Sequence, residues 1–517
     1  MSLLLGIDVG TSSVKVIAIN PDGAVLAAAS ASYPLLQPQT GWTEQDPESW
    51  WQGTIAALRQ LLADPALGPS PADRVQGIGL SGQMHGSVLL DAKAQDHQAR
   101  DARALRPALL WNDQRTAAEC TQIEKEMGGR RRLVEYVGNA ALTGFTLPKL
   151  LWVRGHEPHI WSKVAHVLMP KDFIRLKLTG ELATDVGDAS GTLVFNVDER
   201  RWSESVMSRL GLSRSIFPRA LESTEISGRI SSHAASLTGL KAGTIVVGGS
   251  GDNQCGALGA GVVAPGLVLA TLGTSGVLYA HAERPRKDLP PEGISPGRLH
   301  TMCAGTGTSR DRTGWCVTGV ALSAAGSLQW ARDQLFPQST FDELIRDAQT
   351  AEPGCDGLVF LPYLTGERCP YAEPRARGGW IGLTSRHTRA HMIRAIIEGV
   401  TFSMAQILDL VRSIGVPVTS VRIGGGGAKS PLWRQMQADL YGCPVVTTNT
   451  EEGPAFGAAL MAGVGAGLWQ DAAQAANATI RLTETRDPGL EASRYTDSRR
   501  MHHELWPAIR PIVADNA

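Results

Sequence analysis

Apolar and polar positions fall into short blocks at the start of the chain. Leu3 to Val9 and Val14 to Ile19 are apolar runs rich in β-branched side chains, parted by Gly10 to Ser13. That pattern predicts two strands and a hairpin tip carrying glycine and hydroxyls. Asn20-Pro21-Asp22-Gly23 supplies a second turn and Val25 to Ala29 a third strand, so the chain is expected to open as a β-meander. The period then becomes helical: after Pro47, the residues Trp51, Ile55, Leu58 and Leu62 share one face, and a strand over Arg74 to Leu80 follows. In the second half, Met392 to Ser413 reads as a long helix with Ile396, Val400, Ile407 and Val411 turned inward, followed by a strand over Val418 to Ile423. Four glycines, Gly424 to Gly427, lead to Ser430 as N-cap and Pro431 at the first helical position, with Leu432, Met436 and Leu440 inward.

The opening pattern returns. Leu267 to Ala280 is again strand, Gly-Thr-Ser tip and strand, with Gly273-Thr274-Ser275 lying on Gly10-Thr11-Ser12. A repeat of this kind predicts a duplicated α/β fold with a phosphate between its halves. The tips are not equivalent, because Asp8 falls on Thr271.

Asp8 is a carboxylate inside an apolar strand, which costs several kcal/mol unless it is paired or holds a metal. A glycine-opened tip offers N–H groups and hydroxyls to an anion, and the carboxylate offers a site for the cation that neutralises it. The chain has neither G-x-x-x-x-G-K-[ST] nor a strand-linked G-x-G-x-x-G, so a nucleotide would be held by hairpins. Two further groups stand at expected strand ends: Asp252-Asn253 beyond Val247, and His85 in Gln83-Met84-His85-Gly86. Singly, the first is also a turn former and the second a solvated loop residue. Together, in different halves, they fit a cleft between domains.

Composition narrows the class. With 517 residues and 43% hydrophobic content the chain can bury two cores, and a net charge of -1 speaks against nucleic acid or a membrane surface as partner. Seven cysteines without a C-x-x-C pair, an N-terminus without a basic region, and apolar runs broken by glycine or charge lead us to expect a cytoplasmic protein with reduced thiols. His387 and His391 have helical spacing without a third ligand, and we read them as a helix start. The segments 92–106, rich in charge, and 304–314, rich in glycine and polar residues, read as a solvated insertion and a surface turn.

Several of these stretches also carry a family resemblance. Gly6-Ile7-Asp8-Val9-Gly10-Thr11-Ser12, Gly82-Gln83-Met84-His85-Gly86, Leu109-Leu110-Trp111-Asn112-Asp113, the run Gly144 to Trp152, Gly251-Asp252-Asn253, Leu272 to Gly276, Phe360 to Arg368 and the glycines at 424 to 427 occur in order. From about Leu4 to Gly467 the chain resembles the FGGY carbohydrate kinases. The resemblance implies two duplicated actin/hexokinase-like (ribonuclease H-like) domains with an interdomain cleft, which we expect to divide as 1–245 and 246–517. It implies ATP and Mg²⁺, a small ketose as partner, and permits a homodimer. Asp252 would be the catalytic base, with Met84, His85, Trp111 and Asn253 around the sugar. Thr11, Ser12, Gly273 and Thr274 would lie at the phosphates, Gly425, Gly426 and Gly427 at the adenosine, and Asp8 would hold Mg²⁺ through water. Within the family, Gln83-Met84-His85-Gly86 points to D-xylulose and its 5-phosphate. The alternatives are another FGGY kinase, acting on ribulose, gluconate or a polyol, and a non-catalytic nucleotide-binding protein of the actin fold.

Overall fold

The computed structural model of the chain describes residues 2–95, 102–450 and 452–513. The meander forms as β1 (Leu3–Val9), β2 (Ser13–Ile19) and β3 (Val25–Ser32). The helix α1 (Pro47–Leu62) follows, capped by Asp46, whose carboxylate accepts from the Glu48 amide at 3.0 Å. Its buried face carries Trp50, Trp51, Thr54, Ala57, Leu58 and Leu61, whereas Ile55 and Leu62 are only half-buried. The face is rotated from the expected one because the Trp50 indole turns inward to donate to Gln45 at 2.9 Å.

Four more strands complete the first sheet: β4 (Val75–Gly82), β5 (Ile226–Arg229), β6 (Ile245–Val247) and β7 (Ser250–Gly251). Their order is β5-β6-β4-β1-β2-β3, with β7 also paired to β4. After the helix α2 (Asp252–Gly259), a second sheet is built from β8 (Gly266–Leu272), β9 (Gly276–Ala282), β10 (His300–Cys303), β11 (Trp315–Ala321), β12 (Val418–Gly424), β13 (Val445–Thr448) and β14 (Leu482–Arg486). It runs β10-β11-β9-β8-β12-β13-β14. The pairing of β8 repeats that of β1, antiparallel to the next strand and parallel to β12 as β1 is to β4, and β10 is an added edge. The change from one sheet to the other lies between Gly251 and Gly266, whereas the division expected after 245 falls inside β6.

The long helix α3 (Arg389–Ser413) starts earlier than its apolar period, because Thr388 and His391 form a capping box at its N-terminus. The helix α4 (Pro431–Tyr441) is capped by Ser430. Helix α5 (Gly453–Gly465), late in the chain, packs its small residues against the first sheet. A β carbon at Gly6 would lie 1.8 Å from the Ala455 carbonyl oxygen, and one at Gly79 would lie 1.8 Å from that of Ala458. Only hydrogen at those positions lets helix backbone rest directly on strand backbone.

Of the charged stretch read as a solvated insertion, residues 96–101 lie outside the described residues. The part after them is packed: the Leu105 amide donates to Leu89 at 2.8 Å, Ala102 is buried, and Arg106 pairs with Glu44 at 2.5 Å. The 304–314 run links β10 to β11; Thr224 Oγ1 holds its base by donating to Gly307 at 3.0 Å, and Ser309 to Thr313 are exposed.

The close seat of α5 yields a stability prediction. Gly79→Ala should destabilise the chain by about 3 kcal/mol through overpacking, read as a lowered urea midpoint. An unchanged midpoint would show that α5 is free to move off the sheet.

Candidate functional site

Strand register brings the first three groups together. Asp8 of β1 and Ser250 of β7 are both in register with Ser81 of β4, on its two sides. Ser81 Oγ donates to the Asp8 carboxylate at 2.8 Å. Beyond Ser250 the chain turns into α2, and its first residue is Asp252. A β carbon at Gly251 would lie 2.5 Å from Met84 Cγ, so glycine is what lets the two strand ends close up.

Burial pushes the Asp252 carboxyl up to about 7, and the neighbouring Asp8 carboxylate adds to the rise against the opposing amide of Asn253. Burial also raises Asp8, against the Ser81 hydroxyl and the charge of Lys15. Among the described residues neither carboxylate forms an ion pair, since Lys15 is engaged by Glu452.

The residues that follow β4 divide between two tasks. Gln83 turns to the first hairpin tip, where its Oε1 accepts from Thr11 Oγ1 at 3.2 Å and its amide donates to Gln45 at 3.0 Å. Tyr33 donates to the Gly10 carbonyl at 2.5 Å, and Trp111 Nε1 donates to Thr11 Oγ1 at 3.0 Å. The tip is thereby fixed from three sides.

His85 sits at φ +67°, a left-handed conformation that a non-glycine residue adopts only when held there. Its carbonyl accepts from Thr146 Oγ1 at 3.1 Å and from Lys149 Nζ at 3.0 Å. Its Nδ1 lies 2.8 Å from the Gly191 carbonyl, which can only accept, so Nδ1 carries the proton and Nε2 is left as an acceptor. Burial, helped by the charge of Lys149, lowers the imidazole to about 3, which keeps it neutral. The run Gly144 to Trp152 is therefore a buttress. Its Thr146 and Lys149 hold His85, and Gly144 admits the Trp111 backbone, whose carbonyl would lie 2.2 Å from a β carbon there.

Two cavities meet at α2. The first, about 260 Å³, has Met84, His85, Trp111, Asp252 and Asn253 in its wall, all five of the expected sugar-side residues. The second, about 730 Å³, is lined by Gly425, Gly426, Lys429, Thr271 and Thr448 and shares Asp252 and Asn253 with the first. Gly425, at φ +80°, would place a β carbon 2.6 Å from the Leu272 carbonyl oxygen, so the glycine turn lies flat on the end of β8. Gly427 is buried against Leu272 behind that turn and is not part of the cavity wall. Thr11, Ser12, Gly273 and Thr274 stand at the hairpin tips outside both walls, although Ser275 enters the first.

Sequence reasoning missed several members of the first cavity: Phe145, His300, Thr318 and Arg368. Phe145 packs edge-on between His85 and His300, with centroids 4.5 and 5.4 Å away. It also missed the buried network behind His85. There Lys171 pairs with Asp172 at 2.7 Å and Asp185 at 2.8 Å, and Asp185 accepts from Ser250 at 2.8 Å. None of these has a spacing that marks it in the chain. Phe145 and Arg368 alone lie in motifs already noticed.

Comparison with known proteins gives the geometry a family. Residues 3–259 match the N-terminal domain of the FGGY family of carbohydrate kinases, and residues 268–466 match its C-terminal domain. Over 481 residues the chain is 40% identical to the xylulose kinase of Bacillus subtilis (strain 168), covering 93% of this chain and 92% of that one. Two solved structures, a ligand-bound xylulose kinase and a gluconate kinase, both from Lactobacillus acidophilus, superpose with TM-scores of 0.90 at 25% identity over 100% of both chains. The chain belongs to the FGGY family of carbohydrate kinases and has its two-domain, actin/hexokinase-like fold.

Proposed function

We propose that this carbohydrate kinase transfers the γ-phosphoryl group of ATP to the terminal hydroxyl of D-xylulose, giving D-xylulose 5-phosphate. The observation that carries the reading is the pair of cavities sharing Asp252 and Asn253. A sugar hydroxyl in the smaller cavity and a phosphate from the larger would meet at one carboxylate. The ketose is favoured by the identity to a xylulose kinase over nearly the whole chain and by Met84-His85 in the smaller cavity.

In this reading Asp252 takes the proton of the attacking hydroxyl, a contribution of about 10²- to 10⁴-fold. Its raised proton affinity suits a base working near neutrality. Asn253 donates to Asp252 from its backbone at 2.8 Å and fixes the carboxylate's direction. His85 offers Nε2 to a sugar hydroxyl, and Trp111, 40% exposed, covers the sugar face. The N–H groups of Thr11, Ser12 and Thr274 and the hydroxyls of Ser12 and Thr274 receive phosphate oxygens, with Gly273, whose amide donates to Ser275 at 3.0 Å, shaping the second tip beside them. The Gly425–Gly427 turn receives the adenosine, with Gly425 and Gly426 at its surface.

Mg²⁺ fits this corner, because two carboxylates that form no ion pair among the described residues, with only the charge of Lys15 acting on Asp8, are the oxygen donors a hard divalent ion prefers. Asp8 would hold it through its water shell. Bound there, the ion would neutralise charge on the transferring phosphates.

A coupled ADP-release assay over D-xylulose, D-ribulose, D-gluconate and xylitol tests the substrate. D-Xylulose should have the highest kcat/KM by at least about tenfold. A higher value for gluconate, ribulose or xylitol would replace the ketose assignment, and nucleotide binding without transfer to any of them would support a non-catalytic role.

Asp8→Asn keeps the shape of the side chain and removes its charge. The variant should unfold at or above the wild-type temperature, since a buried carboxylate is relieved, yet need a several-fold higher Mg²⁺ concentration for half-maximal rate. A wild-type Mg²⁺ curve would mean that the metal is held elsewhere.

A further inference from the structure

Arg368 enters the smaller cavity from the second half of the chain, whereas Met84, His85, Trp111 and Phe145 come from the first. Among the described residues, no hydrogen bond or ion pair of its guanidinium with protein is formed; only its backbone is engaged, the amide donating to Glu367 and the carbonyl accepting from the Ala372 amide at 2.8 Å. Glu367 acts on the guanidinium through space but, among the described residues, forms no ion pair with it. Its Oε1 accepts from the Leu322 and Arg368 amides at 2.9 and 2.7 Å, and burial holds the carboxyl up at about 8. A guanidinium carries five donors in a rigid fork, and leaving them unmet in a half-buried pocket is costly. The acceptors must come from whatever fills the pocket.

The end of the pocket that Arg368 serves can be identified. Its charge is felt by His85 and His300, the two rings that flank Phe145, while Asp252 feels the Asp8 carboxylate and no cation. Arg368 shares the cavity wall with His85, Phe145 and His300, and its charge bears on those two rings rather than on the carboxylate. Between the ends the wall is largely apolar, with Met84, Leu142, Val277, Met302 and Val320.

We propose that Arg368 is a specificity-determining residue whose guanidinium forks onto the C1 and C2 oxygens of the bound ketose, holding the sugar by its non-reacting end while the terminal hydroxyl lies at Asp252. This rests on the ketose reading given above. Two oxygens on adjacent carbons match two parallel N–H groups, a geometry a lysine cannot reproduce. The sugar then ties the two halves of the chain together across the cleft, and a substrate without oxygens at that end leaves the donors unmet.

The test compares wild type, Arg368→Met and Arg368→Lys on D-xylulose and on 1-deoxy-D-xylulose, which lacks the C1 oxygen, with thermal unfolding as a check on the fold. Wild type should prefer D-xylulose. In Arg368→Met the KM for D-xylulose should rise at least about tenfold, the KM for ATP should stay within about twofold, and the preference between the two ketoses should fall to about one. Arg368→Lys should lie between. The inference is overturned if wild type uses both ketoses equally, if the preference survives in both variants, or if the KM values for ketose and ATP rise together. Absence of wild-type turnover on D-xylulose would instead remove the substrate reading itself.

Discussion

Asp8 and Asp252 reach one corner of the cleft from either side of the strand Val75–Gly82; burial presses both toward protonation, and the Asp8 carboxylate presses Asp252 further. Like charges at short range in a poorly solvated site cannot both persist without a proton or a cation to separate them. That constraint organises the site. It gives Asp252 a proton affinity far above that of a free carboxylate, and it underlies the proposal that a metal–nucleotide is received there.

The scaffold serves to keep that corner fixed. Parallel pairing sets Asp8, Ser81 and Ser250 in register, and glycine at 251 lets Met84 close against the turn into Asp252. Behind them the helix Gly453–Gly465 rests on Gly6 and Gly79, so the strand bearing Asp8 and the strand leading to His85 are braced by one element late in the chain. The strained backbone of His85 is held by Thr146 and Lys149, and its ring by Gly191. The site is rigid on its first-half side, and the second half contributes the glycine turn, Ser275 and Arg368.

Local sequence made the strands, the helix starts at Pro47 and Ser430 and the repeated hairpins legible, because these depend on near neighbours in the chain. The equivalence of the two sheets followed from a Gly-Thr-Ser echo, which was enough since each tip sits between two strongly apolar strands. What periodicity could not carry was set by contacts between distant segments. The turn of α1 toward Gln45, the packing of Ala102 and Arg106, and the burial of Gly427 behind its own loop are of this kind. The roles of Thr146 and Lys149 were hidden for the same reason. They act on a carbonyl some sixty residues earlier, and an amphipathic pattern records only that the helix packs.

The central claim is that Asp252 acts on the proton of the sugar and leaves nucleotide binding to others. The most direct measurement is the single-turnover rate of phosphoryl transfer in Asp252→Asn, at saturating Mg-ATP and D-xylulose, with ATP affinity determined on the same preparation. The account predicts a rate lower by about 10² or more at nearly unchanged ATP affinity. A rate within a few-fold of wild type would contradict it.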